Sequence, residues 1–430
     1  MIKTALCVGF LLLAPVVVTG QAPSTTRGGP VRTQSRAVAD AGGPFNALGA
    51  TLFWGAWGYK FDRPRLDRNL EALNAAGVDY IRVLGSVGGD SWQDREVDPR
   101  WPDYEKVIAG VTDLAYDRYG MRVQWTLFGG APFNTSTASR TSVVDRFAAM
   151  ARGREHKIFA FEIANEAWQN GFDGPDGIAE LRRLGKRLND RTAVLVALSA
   201  PATGAICDTY AQSGVQAMTI HYARQFGDEG PTTPMLLPWM SLPLDKRCRN
   251  ALPQVVLNNE PIGPESSVKQ DDDPSRIAGA YVMTFLAGHA AYVLHMGPGI
   301  RGGGAADLAQ TPPRSSEFTE LPAFKSIATA LAAARRYLPA GLANWTRHEP
   351  NAPGAPLQGF ERLYTASSGS RFVALAVDVG KGATLRTRVA ANITIRDAAT
   401  GKVLQRQTVA AGEKIPLEGG SQLVVIGRGT

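Results

Sequence analysis

Cysteine is scarce in this chain, with three residues in 430, and the common metal and nucleotide signatures are missing. No Cys-x-x-Cys pair and no Cys/His cluster occurs, which argues against a zinc site. The glycine-rich segment Gly299–Gly304 lacks the Gly-x-Gly-x-x-Gly spacing that brings a backbone close to a pyrophosphate, so it predicts only a loop. We therefore expect no metal and no other cofactor.

Runs of like charge are also missing. The chain carries 46 Lys and Arg against 39 Asp and Glu, a formal net charge of +7, but no run of five or more basic residues. Scattered basic residues favour a role in solubility, with a slight preference for an acidic polysaccharide over nucleic acid as an anionic partner. We expect no nucleic-acid partner.

After the first twenty residues, no stretch of the sequence is apolar enough to cross a bilayer. MIKTALCVGFLLLAPVVVTG starts basic, continues apolar and ends in small residues, which is typical of a cleaved secretory signal peptide. The run is too short for a membrane span. Residues 21–44 are rich in Ser, Thr, Gly and Arg and predict a flexible leader. We expect a soluble, monomeric protein that is secreted or periplasmic and has no membrane contact after cleavage.

Two cysteines, Cys207 and Cys248, remain once the signal peptide with Cys7 is removed. An oxidising compartment favours a disulfide between them. The alternative is two separate buried thiols.

Short apolar runs alternate with amphipathic helical segments from Phe45 onward. Eight runs read as strands: Ala50–Trp54, Asp79–Gly85, Met121–Phe128, Ile158–Asn165, Thr192–Ser199, Val215–Tyr222, Pro253–Glu260 and Ala290–Met296. Continuous apolar strands alternating with helices indicate a parallel sheet covered by helices. The count of eight predicts a (β/α)8 TIM barrel over residues 45–340. A doubly wound open sheet is the competing interpretation, and its nucleotide signature is absent from the sequence.

The pattern changes again after residue 340. Residues 341–430 hold short alternating runs such as RFVALAVDVG and QLVVIGR, separated by turn residues. These runs predict a small C-terminal antiparallel β-sandwich domain. A sugar-binding role is the alternative, but the only tryptophan of this segment, Trp345, lies near its start, which favours a structural role packed on the barrel.

Two of the predicted barrel strands end in Asn-Glu. FEIANEAW places Glu166 at the end of the fourth strand, and VVLNNEPIG places Glu260 at the end of the seventh. On a (β/α)8 barrel the carboxyl ends of all strands border one pocket, so the two carboxylates should face each other. A facing pair is what glycoside hydrolysis needs, because one group protonates the leaving oxygen while the other attacks the sugar or activates water.

These segments resemble the motifs of clan A glycoside hydrolases, a superfamily of retaining β-glycosidases that includes cellulases and mannanases. FEIANEAW resembles the fourth-strand motif aromatic-Glu-apolar-x-Asn-Glu-Pro, with Ala167 in place of the proline. AGVDYIRVLG, IHYAR and VVLNNEPIG resemble the second, sixth and seventh strands. The resemblance covers residues 45–340 as an architecture and these short segments as motifs.

The resemblance implies a retaining mechanism with Glu166 as acid/base and Glu260 as nucleophile. By the same match, Asn165 binds the sugar 2-hydroxyl, and Arg82 and Tyr222 hold Glu260 ionised and oriented. His221 and Tyr222 are adjacent here, so either can be the partner of Glu260.

Glu162 lies on the same predicted strand, four residues before Glu166, and leaves two alternatives open. Arg82 can form a buried structural ion pair with Glu162 instead of supporting Glu260. Glu162 is also the residue that would replace Glu166 as the acid.

Aromatic residues and histidines complete the predicted sugar site. Trp54, Trp57 and Trp168 come at or just after predicted strand ends, where flat rings can pack on the C–H faces of a sugar. His221 and His295 lack metal-ligand spacing and should bond to a sugar or a carboxylate.

The sequence therefore predicts a secreted retaining glycoside hydrolase that cleaves β-glycosidic bonds of a poly- or oligosaccharide. The alternatives are a carbohydrate-binding pseudoenzyme and a transglycosylase on the same barrel.

Overall fold

The computed structural model describes residues 28–89, 91–130, 133–201, 206–222, 233–240, 248–266 and 270–430. The predicted signal peptide, residues 1–20, and the first part of the predicted leader lie outside these ranges. In the described ranges no helix is both long enough and apolar enough for a membrane crossing.

A small antiparallel sheet precedes the barrel. It consists of β1 (Arg32–Gln34), β2 (Ala37–Asp40) and β3 (Gly43–Phe45). Val38 packs with the barrel residues Tyr80 and Phe159, and Asp40 forms a buried ion pair with Arg122 at 3.0 Å. The expectation of a flexible leader is therefore wrong for residues 32–44. These residues are poor in large apolar side chains, but the adjoining end of the barrel supplies the core that they need.

Eight parallel strands form a closed barrel, as predicted. They are β4 (Ala47–Thr51), β5 (Tyr80–Leu84), β6 (Arg122–Phe128), β7 (Ile158–Ala164), β8 (Val196–Pro201), β9 (Ala217–His221), β10 (Val255–Asn258) and β11 (Ala291–Leu294). Each strand pairs with the next in the chain, and β11 pairs with β4 to close the ring. The strands are buried on both faces, which explains their nearly continuous apolar sequence.

Helices connect and surround the strands. The described chain has α1 (Gly55–Phe61), α2 (Arg63–Ala75), α3 (Tyr104–Asp113), α4 (Thr137–Ala151), α5 (Gly174–Asn189), α6 (Ile206–Tyr210), α7 (Thr233–Met240), α8 (Pro274–Leu286), α9 (Gly297–Arg301), α10 (Ala305–Leu308) and α11 (Phe324–Tyr337). At the start of α8 the Asp273 carboxylate accepts a hydrogen bond from the Ser275 backbone N–H at 2.8 Å. The chain leaves α2 through Gly77, whose φ of +76° favours glycine.

The first barrel strand differs from its predicted bounds. β4 starts at Ala47 and ends at Thr51, three residues earlier than the run ATLFW predicted. Trp54 directly precedes α1, so it belongs to the turn between strand and helix. The apolar run continues past the strand because the first turn of α1 is buried as well.

Residues beyond α11 form the predicted C-terminal β domain. A six-stranded sheet contains β12 (Thr346–His348), β14 (Leu363–Ser368), β15 (Arg371–Val379), β20 (Gly420–Gly429), β17 (Ala391–Asp397) and β18 (Val403–Val409). A three-stranded sheet contains β13 (Leu357–Gln358), β16 (Thr384–Thr387) and β19 (Lys414–Pro416). One face of the larger sheet, including Phe372 and Ile393, forms a core of its own. The other face, including Val373 and Leu375, joins the core of the barrel.

Cys207 and Cys248 form the predicted disulfide. Their Cα atoms are 5.7 Å apart, inside the range of about 4.4–6.8 Å that a disulfide allows. The bond joins α6, which follows β8, to the segment that leads into β10.

Candidate active site

Glu166 and Glu260 lie together at the carboxyl ends of the barrel strands. Glu166 follows β7 by two residues, and Glu260 follows β10 by two residues. One oxygen of each and one ring nitrogen of His221 all lie within 4.8 Å of one another. The Glu166 side chain is 14% exposed and that of Glu260 is 3% exposed, so only the first has ready access to water.

The backbone at Glu166 adopts the left-handed conformation, with φ of +38° and ψ of +60°. Non-glycine residues avoid this region, and such strain persists only where surrounding contacts impose it. The Asn170 side chain supplies one such contact, because it donates to the Asn165 carbonyl at 2.5 Å. The turn directs the Glu166 side chain towards the barrel axis, where His221 lies 3.9 Å away.

Arg82 on β5 lies at the centre of the site and is fully buried. Its guanidinium donates to Glu260 at 2.9 Å and to Glu162 at 2.7 Å. The two roles that the sequence left as alternatives therefore occur together. A third hydrogen bond, 2.7 Å long, reaches the Asn165 side-chain oxygen. Since arginine can only donate, this bond turns the Asn165 amide hydrogens away from Arg82 and leaves them as donors.

Glu162 on β7 is held in its ionised form. Burial opposes its charge, but Arg82, His221 and the Thr126 hydroxyl together outweigh burial and lower the pKa of Glu162 to about 2. Thr126 donates to the same carboxylate at 2.5 Å, and the Asn259 amide donates to its other oxygen at 3.0 Å. Glu162 thus anchors Arg82, and as an ionised carboxylate it has no proton to donate as an acid.

His221, the last residue of β9, lies among three carboxylates. Its Nδ1 is 3.6 Å from Glu260 and 3.9 Å from Glu166, and its Nε2 is 3.8 Å from Glu162. Burial opposes protonation, but the charges of Glu260 and Glu162 outweigh it and raise the pKa of His221 to about 9. The imidazole is therefore a cation at neutral pH.

The surroundings of Glu260 keep it ionised. Burial alone would raise its pKa, but His221, His295 and Arg82 together hold the pKa of Glu260 well below its usual range. His295 directly follows β11, is fully buried, and shares a 2.9 Å hydrogen bond between its Nδ1 and the Thr51 hydroxyl. His221 thus lies beside three carboxylates, whereas His295 bonds to Thr51 and acts on Glu260 through its charge.

Tyr222 points away from the site, which corrects its predicted contact with Glu260. Its ring is parallel to that of His289, with ring centroids 5.9 Å apart, and its hydroxyl is 3.1 Å from a ring nitrogen of His289. Neighbouring residues on a strand face opposite sides. Because His221 faces the barrel axis, Tyr222 cannot.

The three tryptophans predicted as sugar platforms have different surroundings. Trp168 is half-buried and packs edge-on against His221, with ring centroids 5.7 Å apart. Trp57 on α1 is half-buried, and the Arg95 guanidinium lies 3.9 Å from the centre of its ring. Trp54 is fully buried and donates from its indole nitrogen to the Pro298 carbonyl at 2.8 Å. Trp54 is therefore a core residue, contrary to the prediction, because β4 ends before reaching it.

Solved structures with this architecture include sugar-cleaving enzymes. One named simply "Glycoside hydrolase" aligns with 94% of this chain and 97% of its own, at 12% identity and a TM-score of 0.63. The α-galactosidase I from Mortierella vinacea aligns with 90% of this chain and 97% of its own, at 10% identity and a TM-score of 0.50. The fold is one that glycoside hydrolases use. No protein-family model and no curated protein sequence matches the chain.

This likeness confirms the architecture that the resemblance to clan A glycoside hydrolases predicted: a parallel eight-stranded barrel followed by a β domain. At such low identity the likeness extends to the fold alone. The assignment of functional residues therefore rests on the geometry of the site.

Three site residues were not identified from the sequence. Thr126 and Asn259 bind Glu162, and the Gln124 amide donates to the Asn259 oxygen at 3.3 Å. Gln124 and Thr126 alternate with apolar residues on β6. Two polar side chains on one face of an otherwise apolar strand could have identified them as site residues. For Asn259 the signal was its place directly before Glu260.

The cluster of Glu166, His221 and Glu260 also has the composition of a metal site. Carboxylates and imidazole suit several divalent ions. Arg82 and the protonated His221 already balance the charges of Glu162 and Glu260. A metal ion would have to displace the proton of His221 and would disturb this charge balance, so the residues present fit a metal ion poorly.

Proposed function

We propose that the chain is a retaining glycoside hydrolase that acts on β-glycosidic bonds of a poly- or oligosaccharide. The observation that carries the proposal is the approach of Glu166 and Glu260 within 4.8 Å. Retaining enzymes place the two carboxyl groups about 5–5.5 Å apart, whereas inverting enzymes need about 6.5–9.5 Å to admit a water molecule.

Glu260 has the properties of a nucleophile. It is ionised, because His221, His295 and Arg82 hold its pKa well below the usual range, and it is fixed by the 2.9 Å bond from Arg82. In the first step a Glu260 oxygen forms a bond to the anomeric carbon as the bond to the leaving oxygen breaks. The product of this step is a glycosyl ester on Glu260.

Glu166 has the position of the acid/base. Its greater exposure lets it protonate the departing sugar oxygen in the first step and take a proton from water in the second. That water then breaks the ester and restores Glu260. Asn165 presents its amide hydrogens beside the pair, in a position to bind the sugar 2-hydroxyl. A hydrogen bond to this hydroxyl becomes stronger in the transition state.

The Cys207–Cys248 disulfide supports the further proposal that the protein acts outside the cytoplasm, in the secreted or periplasmic compartment. The N-terminal segment gives the same indication from sequence.

The mechanism predicts different losses for the two glutamates. Glu260→Ala should abolish turnover of every substrate, because no ester can form. Glu166→Ala should slow substrates with poor leaving groups by about 10²–10⁴-fold, and much less those with good leaving groups. Added azide should rescue Glu166→Ala by attacking the ester in place of water, and the product should be a β-glycosyl azide.

The assay is a panel of chromogenic β-glycosides with matched α-glycosides, followed by NMR of the first-formed anomer. Glu71→Gln, which alters an exposed carboxylate on α2, is the control and should behave like the parent. An inverted product contradicts the retaining mechanism. Sugar binding without turnover would favour a carbohydrate-binding pseudoenzyme, and transfer to added acceptor sugars would favour a transglycosylase.

A further inference from the structure

A second pocket lies at one end of the C-terminal β domain, away from the barrel carboxylates. It has a volume of about 590 Å³ and lies between the β14–β15 turn, the β16–β17 connection and residues 353–356. Its lining includes Pro353, Ser367, Ser370, Arg371, Arg388 and Val389. Small-molecule sites have volumes of about 300–1,000 Å³, so the pocket can hold one or two sugar rings.

The side chains that line the pocket include two arginines and no carboxylate. Arg371 and Arg388 are exposed, and the described chain places no carboxylate within salt-bridge distance of either. Two other arginines of this domain are paired, Arg347 with Glu349 and Arg362 with Asp378. Residues 341–430 contain eleven Lys and Arg against six Asp and Glu, which is +5 of the chain's net +7.

The position of Arg371 brings it close to a second positive charge. It lies directly opposite Arg428 in the antiparallel pair of β15 and β20. Like charges directly opposite each other in a sheet destabilise the pairing. The Arg371 guanidinium also lies 5.2 Å from the centre of the Trp345 ring, a contact that limits its movement. A bound anion would offset the repulsion between the two arginines.

We propose that this pocket binds a carboxylated sugar residue of an acidic polysaccharide. Guanidinium groups match the planar carboxylate and can bind it through two parallel hydrogen bonds. The Ser367 hydroxyl, placed by a 2.7 Å bond with His348, and the Ser370 hydroxyl suit the sugar hydroxyls. Pro353 and Val389 supply apolar surface for its C–H groups.

Nucleic acid fits the pocket less well. A single strand needs a charged groove that follows its backbone and aromatic faces on which its bases stack. The pocket is a short concavity whose one aromatic lining residue, Phe372, is buried in the domain core. The lining thus suits a compact, anionic and hydroxylated ligand.

The proposal goes beyond the chemistry of the barrel and is tested with a chain that cannot cleave. In a Glu260→Gln background, binding is measured by calorimetry with an oligogalacturonate and with a neutral galacto-oligosaccharide of equal length, at physiological salt. Arg371→Ala and Arg388→Ala should each weaken oligogalacturonate binding about tenfold or more, as expected for the loss of one charge-assisted pair. The neutral oligosaccharide should show no dependence on either arginine.

Arg406→Ala is the matched control, because it removes one exposed arginine of the same domain from β18, outside the pocket lining. It should bind like the parent, and thermal melting should show that all variants remain folded. An equal loss in Arg406→Ala, or equal affinity for the neutral oligosaccharide, overturns the proposal. So does arginine-dependent binding of a single-stranded oligonucleotide that is as tight as that of oligogalacturonate.

Discussion

At the scale of single residues, the most informative group is His221, one imidazole among the carboxylates of Glu162, Glu166 and Glu260. Its positive charge lowers the pKa of Glu260 and so helps to keep the proposed nucleophile ionised. The same charge makes the site sensitive to alkali, because a neutral imidazole no longer provides this stabilisation.

The pKa of His221 predicts how protein stability depends on pH. A pKa raised from 6.5 to about 9 means that the folded state binds the proton more tightly than the unfolded state. This contribution, of about 3 kcal/mol, is fully present below pH 6.5 and is lost as the pH rises through 9. The melting temperature of the parent should therefore fall over this range.

His221→Gln should remove that part of the pH dependence, and the acid limb of its activity profile should move to higher pH as the pKa of Glu260 rises. The control is His156→Gln, which alters a histidine just before the start of β7, at the other end of the barrel from the site. Its melting profile should follow that of the parent. Identical profiles for His221→Gln and the parent would show that the imidazole is not charged in the folded protein.

The sequence predicted the two carboxylates of the site but not the contacts among its residues. Glu166 and Glu260 each follow a recognisable strand, and the fold determines that such strand ends meet. The contacts of Thr126 and Asn259 with Glu162 join residues 36 and 97 positions apart and depend on barrel closure and strand register. The orientation of His221 and Tyr222 also depends on register, since one residue faces the axis and its neighbour faces outward.

At the scale of elements, the three-stranded sheet β1–β3 adds a structured cover to the amino-terminal end of the barrel. Its composition predicted disorder, because it has few large apolar residues. It is ordered because Val31 and Val38 reach apolar surface on the barrel and because Asp40 pairs with the buried Arg122. Local composition cannot reveal a core that a distant segment provides.

Truncation distinguishes this sheet from a flexible leader. A chain that starts at Gly28 should melt like the mature protein, because residues 21–27 precede all described contacts. A chain that starts at Gly43 loses β1 and β2 and leaves the charge of Arg122 without Asp40. Its melting temperature should fall by more than about 5 °C, since several kcal/mol of burial and pairing are lost. Equal melting of the two chains would support the flexible leader.

At the scale of the whole molecule, the barrel and the C-terminal domain share one apolar core. Val373, Leu375 and Val377 of β15 belong to the same buried cluster as the barrel residues Tyr281 and Phe285 of α8. Gly279 of α8 has no side chain, and a Cβ atom there would come within 2.4 Å of the Met235 sulfur, so this layer is closely packed. The smaller cluster between the two sheets is separate.

This shared core predicts cooperative unfolding. Calorimetry should show one main transition for barrel and C-terminal domain together, with equal calorimetric and van't Hoff enthalpies. Leu375→Ala, in the shared core, should lower the free energy of unfolding by about 2–5 kcal/mol. The transition should move to lower temperature and remain single. The control is Ile393→Ala in the core between the two sheets, which can loosen the β domain alone. Two well-separated transitions in the parent would show that the domains are thermodynamically independent.

Arg82 connects the proposed chemistry to the integrity of the barrel. It extends from β5 to Thr126 on β6, to Glu162 on β7 and to Glu260 beyond β10. Its hydrogen bonds therefore link four strands of the barrel. Many enzymes gain stability when a catalytic group is replaced, because that group is held in an unfavourable setting. Here the replacement of Arg82 would leave two buried carboxylates without their counter-ion, so activity and fold would decline together. Selection for a more heat-resistant variant would therefore conserve this arginine even if sugar cleavage were never assayed.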